Sequence, residues 1–320
     1  MSKIKFNNRD DAKAIIAEAR IGNYRPLSRA ISLVENGNKA AEELMRKIFP
    51  FTGDDYRIGI TGPPGAGKST LIAKLVKVFR KQNKKVGIIA IDPTSPFSGG
   101  AVLGDRIRMN EIMSDTGIYI RSMATRGSLG GLSRNTQVVA DLMSAVGFKM
   151  ILLETVGVGQ GELDIAGASD TTIVLLVPES GDSIQAMKAG LMEIADIFVV
   201  NKADREGADS IKIELENILG LRTLKNEWKI PIIKSVANKE EGIEEIIGAI
   251  SMHFSYIRSS GTLKEKRYNR IVNILRQHIR NDIEEKFWTE SRKKIFEKRI
   301  EDIINRRLSI QDLIEELQFL

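Results

Sequence analysis

The order of apolar and polar positions divides the chain into three parts. Residues 10–48 carry apolar positions at helical spacing, which predicts two or three short helices. From residue 57 to about 253, short apolar runs alternate with amphipathic stretches, and beyond Gly261 only a charged helical pattern remains. The predicted parts are an N-terminal helical extension over 1–50, a central domain over 51–255 and a C-terminal helical arm over 256–320.

Seven short apolar runs in the central part predict buried strands. They read "YRIGIT", "KVGIIAID", "GIYIRSM", "MILLETVG", "TTIVLLVP", "IADIFVVN" and "IPIIKSVA". Such runs are nearly continuous in apolar residues because helices cover both faces of a parallel sheet. We therefore predict an α/β fold with a doubly wound, mostly parallel sheet.

Composition limits the kind of protein this can be. The 320 residues are 42% hydrophobic and 28% charged, as in an ordinary globular protein with a core. The absence of cysteine excludes disulfides and thiolate metal sites, and a net charge of +6 suits an anionic ligand without indicating nucleic acid. The charged N-terminus does not match a secretory signal, and no apolar run approaches the roughly 18 residues of a membrane helix. We expect a cytoplasmic protein with neither a nucleic-acid nor a membrane partner.

The stretch "RIGITGPPGAGKSTLIAKL", residues 57–75, predicts a phosphate site. It places a G-x-x-x-x-G-K-S sequence between a strand and a helix, which is the Walker A pattern in its required context. Backbone N–H groups of such a loop surround phosphate oxygens, and the helix N-terminus adds partial positive charge. We expect Lys68 to reach the β and γ phosphates and the Ser69 hydroxyl to ligate Mg²⁺. The predicted nucleotide-binding residues here are Gly62, Pro63, Pro64, Gly65, Ala66, Gly67, Lys68, Ser69 and Thr70.

Three carboxylates are candidates to complete the Mg²⁺ site. Asp92 ends the run "VGIIAID", Asp105 lies in the loop that follows, and Glu154 ends "MILLE". Carboxylate oxygens at strand ends facing a phosphate loop are ligands that this hard cation takes. The predicted metal ligands are thus Ser69, Asp92, Asp105 and Glu154. Each acid has an alternative interpretation as a helix cap or a solvated loop residue.

The sequence "NKAD" at residues 201–204 indicates guanine. A carboxylate at Asp204 can accept hydrogen bonds from both guanine N1–H and the exocyclic amine, whereas adenine would leave it unpaired. We expect Lys202 to lie along the base and Asn201 to join this loop to the phosphate loop. Further along, Ser235, Val236 and Ala237 are predicted to contact guanine O6. The predicted ligands are therefore GTP or GDP with Mg²⁺, and the predicted activity is GTP hydrolysis.

The residues that would sense the γ-phosphate are less well defined. Glu154 and Gly157 stand where GTPases usually carry D-x-x-G, whose glycine N–H can bind the γ-phosphate. The candidate catalytic residues are Lys68, Glu154 and Gln160. Gln160 does not directly follow Gly157, where Ras-like GTPases keep their water-positioning glutamine, so its role stays open. Other candidates in nearby loops are Arg106, Arg108, Asp182, Gln185 and Lys188.

Together these segments resemble the methylmalonyl-CoA mutase-associated GTPases, the MeaB/ArgK-type branch of the metallochaperone-like P-loop GTPases. The resemblance covers most of residues 20–260 and rests on "RPLSRAISLVENG", "GPPGAGKST", "IAIDPTSPFSGGAVLGDRIRM", "LLETVGVGQGE", "VPESGD" and "NKAD". It implies a chaperone that gates adenosylcobalamin loading and protects or reactivates an acyl-CoA mutase. It also implies a homodimer held by the C-terminal helices, and GTP hydrolysis that is slow alone and stimulated by the partner.

Two alternatives of other classes stay open. An ATP-dependent kinase of a transport protein is disfavoured by the guanine-type "NKAD". A nickel-insertion GTPase of hydrogenase or urease maturation needs soft or imidazole ligands, and the chain has only His253 and His278. We expect both histidines at surface or half-buried positions of amphipathic helices. The C-terminal arm could also fold back on its own central domain instead of pairing with a second copy.

Overall fold

Seven parallel strands form one sheet. The computed structural model describes residues 9–36, 39–92, 112, 114–124, 134–155, 161–178, 190–220 and 228–318. The strands are β1 Tyr56–Thr61, β2 Val86–Asp92, β3 Ile118–Ala124, β4 Met150–Thr155, β5 Thr171–Leu176, β6 Ile197–Asn201 and β7 Ile232–Ser235. Their order across the sheet is β3-β2-β4-β1-β5-β6-β7, and every neighbouring pair is parallel. The predicted doubly wound α/β fold is therefore confirmed.

Helices precede, connect and follow these strands. They are α1 Arg9–Arg20, α2 Arg25–Glu35, α3 Lys39–Ile48, α4 Lys68–Lys81, α5 Arg134–Ala145, α6 Gly161–Ala168, α7 Ala208–Gly220, α8 Ile243–Ser259, α9 Thr262–Phe287, α10 Glu290–Ile304 and α11 Ile310–Gln318. A helical turn spans Met192–Ile194, and 3₁₀ turns span Phe49–Phe51 and Ala237–Lys239. The first three helices confirm the helical pattern predicted for residues 10–48. In the described part of the chain, no helix is both long and apolar enough to cross a membrane.

The strands are apolar on both faces because helices cover both. Ile88 of β2 and Leu152 of β4 pack with α4 and α8, whereas the adjacent Ile89 and Leu153 pack with α1–α3, α5 and α6. Successive side chains of a strand point to opposite faces, so neighbouring residues belong to different layers. Over β5 and β6 the second face is covered by α7. The result is three layers with the sheet in the middle.

The central position of β1 determines where a ligand can bind. This strand lies between β4 and β5, and the loop that follows it begins at the carboxyl edge of the sheet. Gly62 starts that loop with φ +142°, and a Cβ built there would lie only 2.2 Å from the carbonyl oxygen of Leu175. Only glycine allows this close approach of the two backbones. Open α/β sheets bind ligands at this edge, where the strand order reverses.

A buried polar group occupies the opposite, amino edge of the sheet. Asp196, just before β6, accepts hydrogen bonds from the Thr172 N–H at 2.8 Å and the Lys266 ammonium at 3.0 Å. His253 of α8 lies 3.3 Å from Asp196 Oδ1 through Nε2, and 2.7 Å from Thr171 Oγ1 through Nδ1. His253 is only 1% exposed, so the predicted surface or half-buried position is wrong for this residue. It is buried because its two ring nitrogens have partners within the fold.

The chain forms two compact units, residues 1–267 and 268–320. The second contains most of α9 together with α10 and α11. Within it, the Arg292 guanidinium donates to the Leu317 carbonyl at 2.7 Å and to the Phe287 carbonyl at 2.9 Å. At the start of α11, the Ser309 N–H donates to the Asp312 carboxylate at 3.2 Å and the Asp312 N–H donates to the Ser309 hydroxyl at 3.1 Å, which is a capping-box arrangement. The three-part division at residues 50 and 255 stays a prediction.

Candidate nucleotide-binding site

The loop between β1 and α4 has the backbone of an anion-binding cradle. Gly65 has φ +75°, and a Cβ added there would meet nothing within 4 Å, so its surroundings are open. Gly67 has φ +89° and directly precedes the N-terminus of α4, whose free N–H groups favour negative charge. The Lys68 ammonium donates to the carbonyls of Gly62 at 2.7 Å and Pro63 at 2.9 Å. The lysine is therefore folded across the loop that a phosphate would enter.

A candidate cation site lies beside this loop. The Ser69 hydroxyl donates to Glu154 Oε1 at 2.7 Å, and each residue is only 5% exposed. Glu154 reaches this position because it ends β4, the strand adjacent to β1. A hydroxyl and a carboxylate are hard oxygen donors, so the pair fits Mg²⁺. Ala90 of β2 pairs with Glu154, which places the Asp92 backbone two residues further along the neighbouring strand.

Asn201 joins the predicted base-binding loops to the phosphate loop. Its side-chain amide donates to the Ala66 carbonyl at 2.7 Å. Its carbonyl oxygen accepts from the Ser235 hydroxyl and from the Ala237 N–H, both at 3.1 Å. A Cβ on Gly67 would approach the Asn201 amide to 2.5 Å, so glycine is also needed here. Through these contacts the Asn201 side chain links the loops after β1 and β7.

The predicted guanine-recognition residues lie together at the carboxyl ends of β6 and β7. Lys202 adopts φ +56°, and the Ala203 N–H donates to the Ser235 carbonyl at 3.0 Å, which holds the loop against the end of β7. Asp204 lies beyond this turn with its side chain 38% exposed. Val236 and Ala237, in the loop after β7, are only 4% and 2% exposed, so this loop is held against the fold.

One contact in this region was missed from the sequence. The Lys239 ammonium lies 3.1 Å from Asp204 Oδ2, and the neighbouring Glu240 pairs with Lys74 of α4 at 2.9 Å. The hydrogen bond from Lys74 holds the pKa of Glu240 below its usual value. A basic residue two positions after Ala237 was the available signal. Whether Lys239 contacts Asp204 depends on which loop faces it in the fold, and a sequence pattern does not contain that information.

Several predicted site residues fall outside the described part of the chain. For Asp92 this concerns the side chain alone. For Asp105, Arg106, Arg108, Gly157, Gln160, Asp182, Gln185 and Lys188 it concerns the whole residue. Their assignments stay predictions. Among the residues that are described, no three of the types His, Cys, Asp and Glu gather as a metal site would require.

The strand, glycine-rich loop and helix, with a lysine and serine at the loop's end, define the class of P-loop proteins. Comparison with known proteins narrows the class. The family model "Methylmalonyl Co-A mutase-associated GTPase MeaB" matches residues 27–292. The chain belongs to this family and is a GTPase.

Relatives match the chain along most of its length. A Pyrococcus abyssi relative is 48% identical over 302 residues, which are 93% of this chain and 92% of the relative. GTPase ArgK of Escherichia coli is 35% identical over 84% of this chain and 83% of its own length. A crystal structure titled as a LAO/AO transport system kinase aligns with a TM-score of 0.74 and 26% identity, covering 99% of this chain and 98% of that one.

Proposed function

We propose that this GTPase is a chaperone of an adenosylcobalamin-dependent acyl-CoA mutase of the methylmalonyl-CoA mutase type. In this function its nucleotide state gates cofactor loading and helps to protect or reactivate the mutase. The observation that carries the proposal is the match over residues 27–292 to a family described as mutase-associated. The site geometry supports the nucleotide part of the proposal independently of that match.

GTP and GDP are the proposed nucleotides. Residues 62–70 would surround the phosphates, and Lys68 would exchange the carbonyls of Gly62 and Pro63 for phosphate oxygens, which are charged and therefore stronger acceptors. Asp204 would accept the two guanine donors, with Lys202 along the base and residues 235–237 near O6. This choice of base disfavours an ATP-dependent kinase, because adenine has no hydrogen-bond donor at N1 or C2, the two positions at which guanine would donate to the Asp204 carboxylate.

Mg²⁺ would be held by Ser69 and Glu154, with Asp92 and Asp105 as further candidate ligands. When bound, the cation neutralises negative charge on the β and γ phosphates. The chain's own contribution is to hold the two oxygens of Ser69 and Glu154 in a buried position beside the loop. Gln160 is the candidate for positioning the attacking water, although it stands three residues after Gly157.

Hydrolysis by the isolated protein should be slow. Gln160 is displaced from the usual position of the water-positioning glutamine, and the sequence does not assign an arginine to the phosphates. A partner that favours one loop arrangement can provide the missing stabilisation. Suppose that the mutase binds one nucleotide state of the GTPase more tightly than the other. Linkage then requires that bound mutase change the relative affinity of the GTPase for the two nucleotides by the same factor. Asp182, Gln185 and Lys188 are the proposed relay residues.

We also propose that the protein acts as a cytoplasmic homodimer. The apolar positions of α9 support the pairing of two copies. The cysteine-free composition is compatible with a reducing compartment.

The test is GTP turnover with and without a purified cobalamin-dependent acyl-CoA mutase from the same organism. We expect the mutase to accelerate turnover at least about tenfold, because transition-state contacts supplied by a partner have large effects. Mutase affinity is measured in parallel with GDP and with a non-hydrolysable GTP analogue, and it should differ between the two. Unchanged turnover together with equal affinities would leave the GTPase family assignment standing and reject the chaperone function.

A further inference from the structure

We infer that Lys239 is a positioning residue that holds the Asp204 carboxylate in place for guanine. The inference deepens the proposed function and depends on its assignment of Asp204 to the base. The observation behind it is the 3.1 Å contact between Lys239 Nζ and Asp204 Oδ2. The two residues come from different loops, one after β6 and the other after β7.

Lys239 is presented from a well-fixed turn. Its N–H donates to the Val236 carbonyl at 2.8 Å, and Val236 N–H donates to the Glu241 carbonyl at 3.1 Å. Gly242 closes the turn with φ +78°, and a Cβ there would lie 2.3 Å from the Lys234 carbonyl oxygen. Because these contacts fix the backbone of the turn, they limit the region that the extended Lys239 side chain can reach.

The turn is also joined to the rest of the site. Ala237, its first residue, donates its N–H to the Asn201 side chain, which in turn contacts the Ala66 carbonyl of the phosphate loop. On the other side, Glu240 pairs with Lys74 of the helix that follows the phosphate loop. Lys239 therefore connects the proposed base carboxylate to a turn that is itself tied to the phosphate-binding elements.

Asp204 needs such a partner because its side chain is 38% exposed. A carboxylate that rotates freely loses conformational entropy when guanine fixes it, and this loss weakens binding. Each carboxylate oxygen can accept two hydrogen bonds, so one bond to Oδ2 does not exhaust the group. Lys239 can thus hold the carboxylate and leave acceptor positions for guanine N1–H and the exocyclic amine.

The experiment measures GDP affinity for the full-length protein by calorimetry. Lys239→Met, which keeps the length of the side chain and removes its charge, should weaken GDP binding by roughly two- to fivefold, the range of an exposed ion pair. Lys239→Arg should restore most of the affinity. The loss should shrink as salt is raised, because the pair is solvent-accessible.

A matched control comes from the preceding strand. Lys234 of β7 forms an exposed ion pair with Asp209 at 2.8 Å, so Lys234→Met removes the same charge close by without touching Asp204. This variant should bind GDP like the wild type. The thermal midpoints of all variants are compared, so that a loss through unfolding is recognised.

The route through Asp204 is tested in a second background. Asp204→Asn should lose GDP affinity and gain affinity for xanthosine diphosphate, because the amide can donate to the xanthine carbonyl. In that background, adding Lys239→Met should leave xanthosine diphosphate affinity unchanged. An equal loss there, an unchanged GDP affinity in Lys239→Met alone, or tighter GDP binding would each reject the inference.

These outcomes separate the inference from the proposal on which it rests. If the wild type binds GDP and ADP equally and Asp204→Asn changes neither, the guanine assignment itself fails. If Asp204→Asn loses GDP while Lys239→Met does not, the guanine assignment holds and only the role of Lys239 is rejected.

Discussion

Ser69 and Glu154 are 85 positions apart in the chain, yet their side-chain oxygens lie 2.7 Å apart in the fold. We predict that Glu154→Gln raises the Mg²⁺ concentration needed for half-maximal GTP hydrolysis at least about tenfold, since the substitution removes a charged ligand at nearly constant size. GDP affinity measured without Mg²⁺ should change much less. Activity titrated with Mg²⁺ gives the first value, and calorimetry in chelator gives the second.

Thr155 provides the control for this titration. It is the next residue on β4 and is also buried, and its hydroxyl donates to Thr61 Oγ1 at 2.9 Å. Thr155→Val therefore removes a neighbouring buried hydrogen bond without removing a proposed ligand, and its Mg²⁺ titration should match the wild type. Asp92→Asn is titrated in the same way. If neither Glu154→Gln nor Asp92→Asn shifts the titration, these carboxylates are not the metal ligands.

At the scale of elements, the sequence predicts best what depends on neighbours along the chain. All seven strands appear where apolar runs predicted them, because continuous burial on both faces leaves a direct trace in composition. The glycine-rich loop after β1 could also be predicted from the sequence. Close contacts require glycine at positions 62 and 67, so the pattern of glycines marks the loop. By contrast, the burial of His253 depends on two partners that are distant along the chain. Thr171 is 82 positions away, and Asp196 lies in the loop before β6. The Lys239 contact escaped prediction for the same reason.

The polar group before β6 leads to a stability prediction. Burial raises the pKa of Asp196, but the hydrogen bond from His253 and the charge of Lys266 outweigh it, so the pKa lies below its usual value. The folded protein therefore gains stability from the ionised carboxylate above about pH 4, the unfolded value, and loses it as pH falls through the lower folded pKa. Asp196→Asn should lower the free energy of unfolding at pH 7 by about 1.5–3 kcal/mol.

The measurement is urea unfolding of Asp196→Asn and wild type at several pH values from 7 down to 3. The difference between the two should be largest near neutrality and decrease below about pH 4. Asp209→Asn serves as the control, because Asp209 is also ion-paired but its side chain is 79% exposed, and it should change stability much less. A difference for Asp196→Asn that is constant with pH would show that the carboxylate charge does not contribute.

At the scale of the whole molecule, an exposed apolar stripe on α9 is the feature that most needs a partner. Its members follow each other at intervals of three or four residues, and each is between 50% and 66% exposed: Tyr268, Ile271, Leu275, Ile279 and Ile283. Side chains at this spacing lie on one side of a helix, where they form a continuous apolar surface. Such a surface is costly in water unless another surface covers it.

We predict that a second copy of the chain covers this stripe through a two-fold interface, in which the same residues of both copies meet. Light scattering of the intact protein should give about twice the chain mass of 35.6 kDa. Replacing both Ile271 and Leu275 with glutamate should give a monomer, because unpaired charges would be buried in the interface. Asn273→Glu combined with Gln277→Glu adds the same two negative charges at exposed positions of the same helix and should leave the dimer intact.

The double variant at Ile271 and Leu275 also distinguishes a dimer from a C-terminal arm that folds back on its own chain. In a dimer, the double variant changes the measured mass, and GDP affinity stays at the wild-type value because none of the proposed nucleotide contacts is altered. If the stripe is covered within one chain, the intact protein is already a monomer, and the double variant lowers the thermal midpoint without changing the mass. A monomeric intact protein over the whole accessible concentration range would therefore reject the homodimer and retain the nucleotide site.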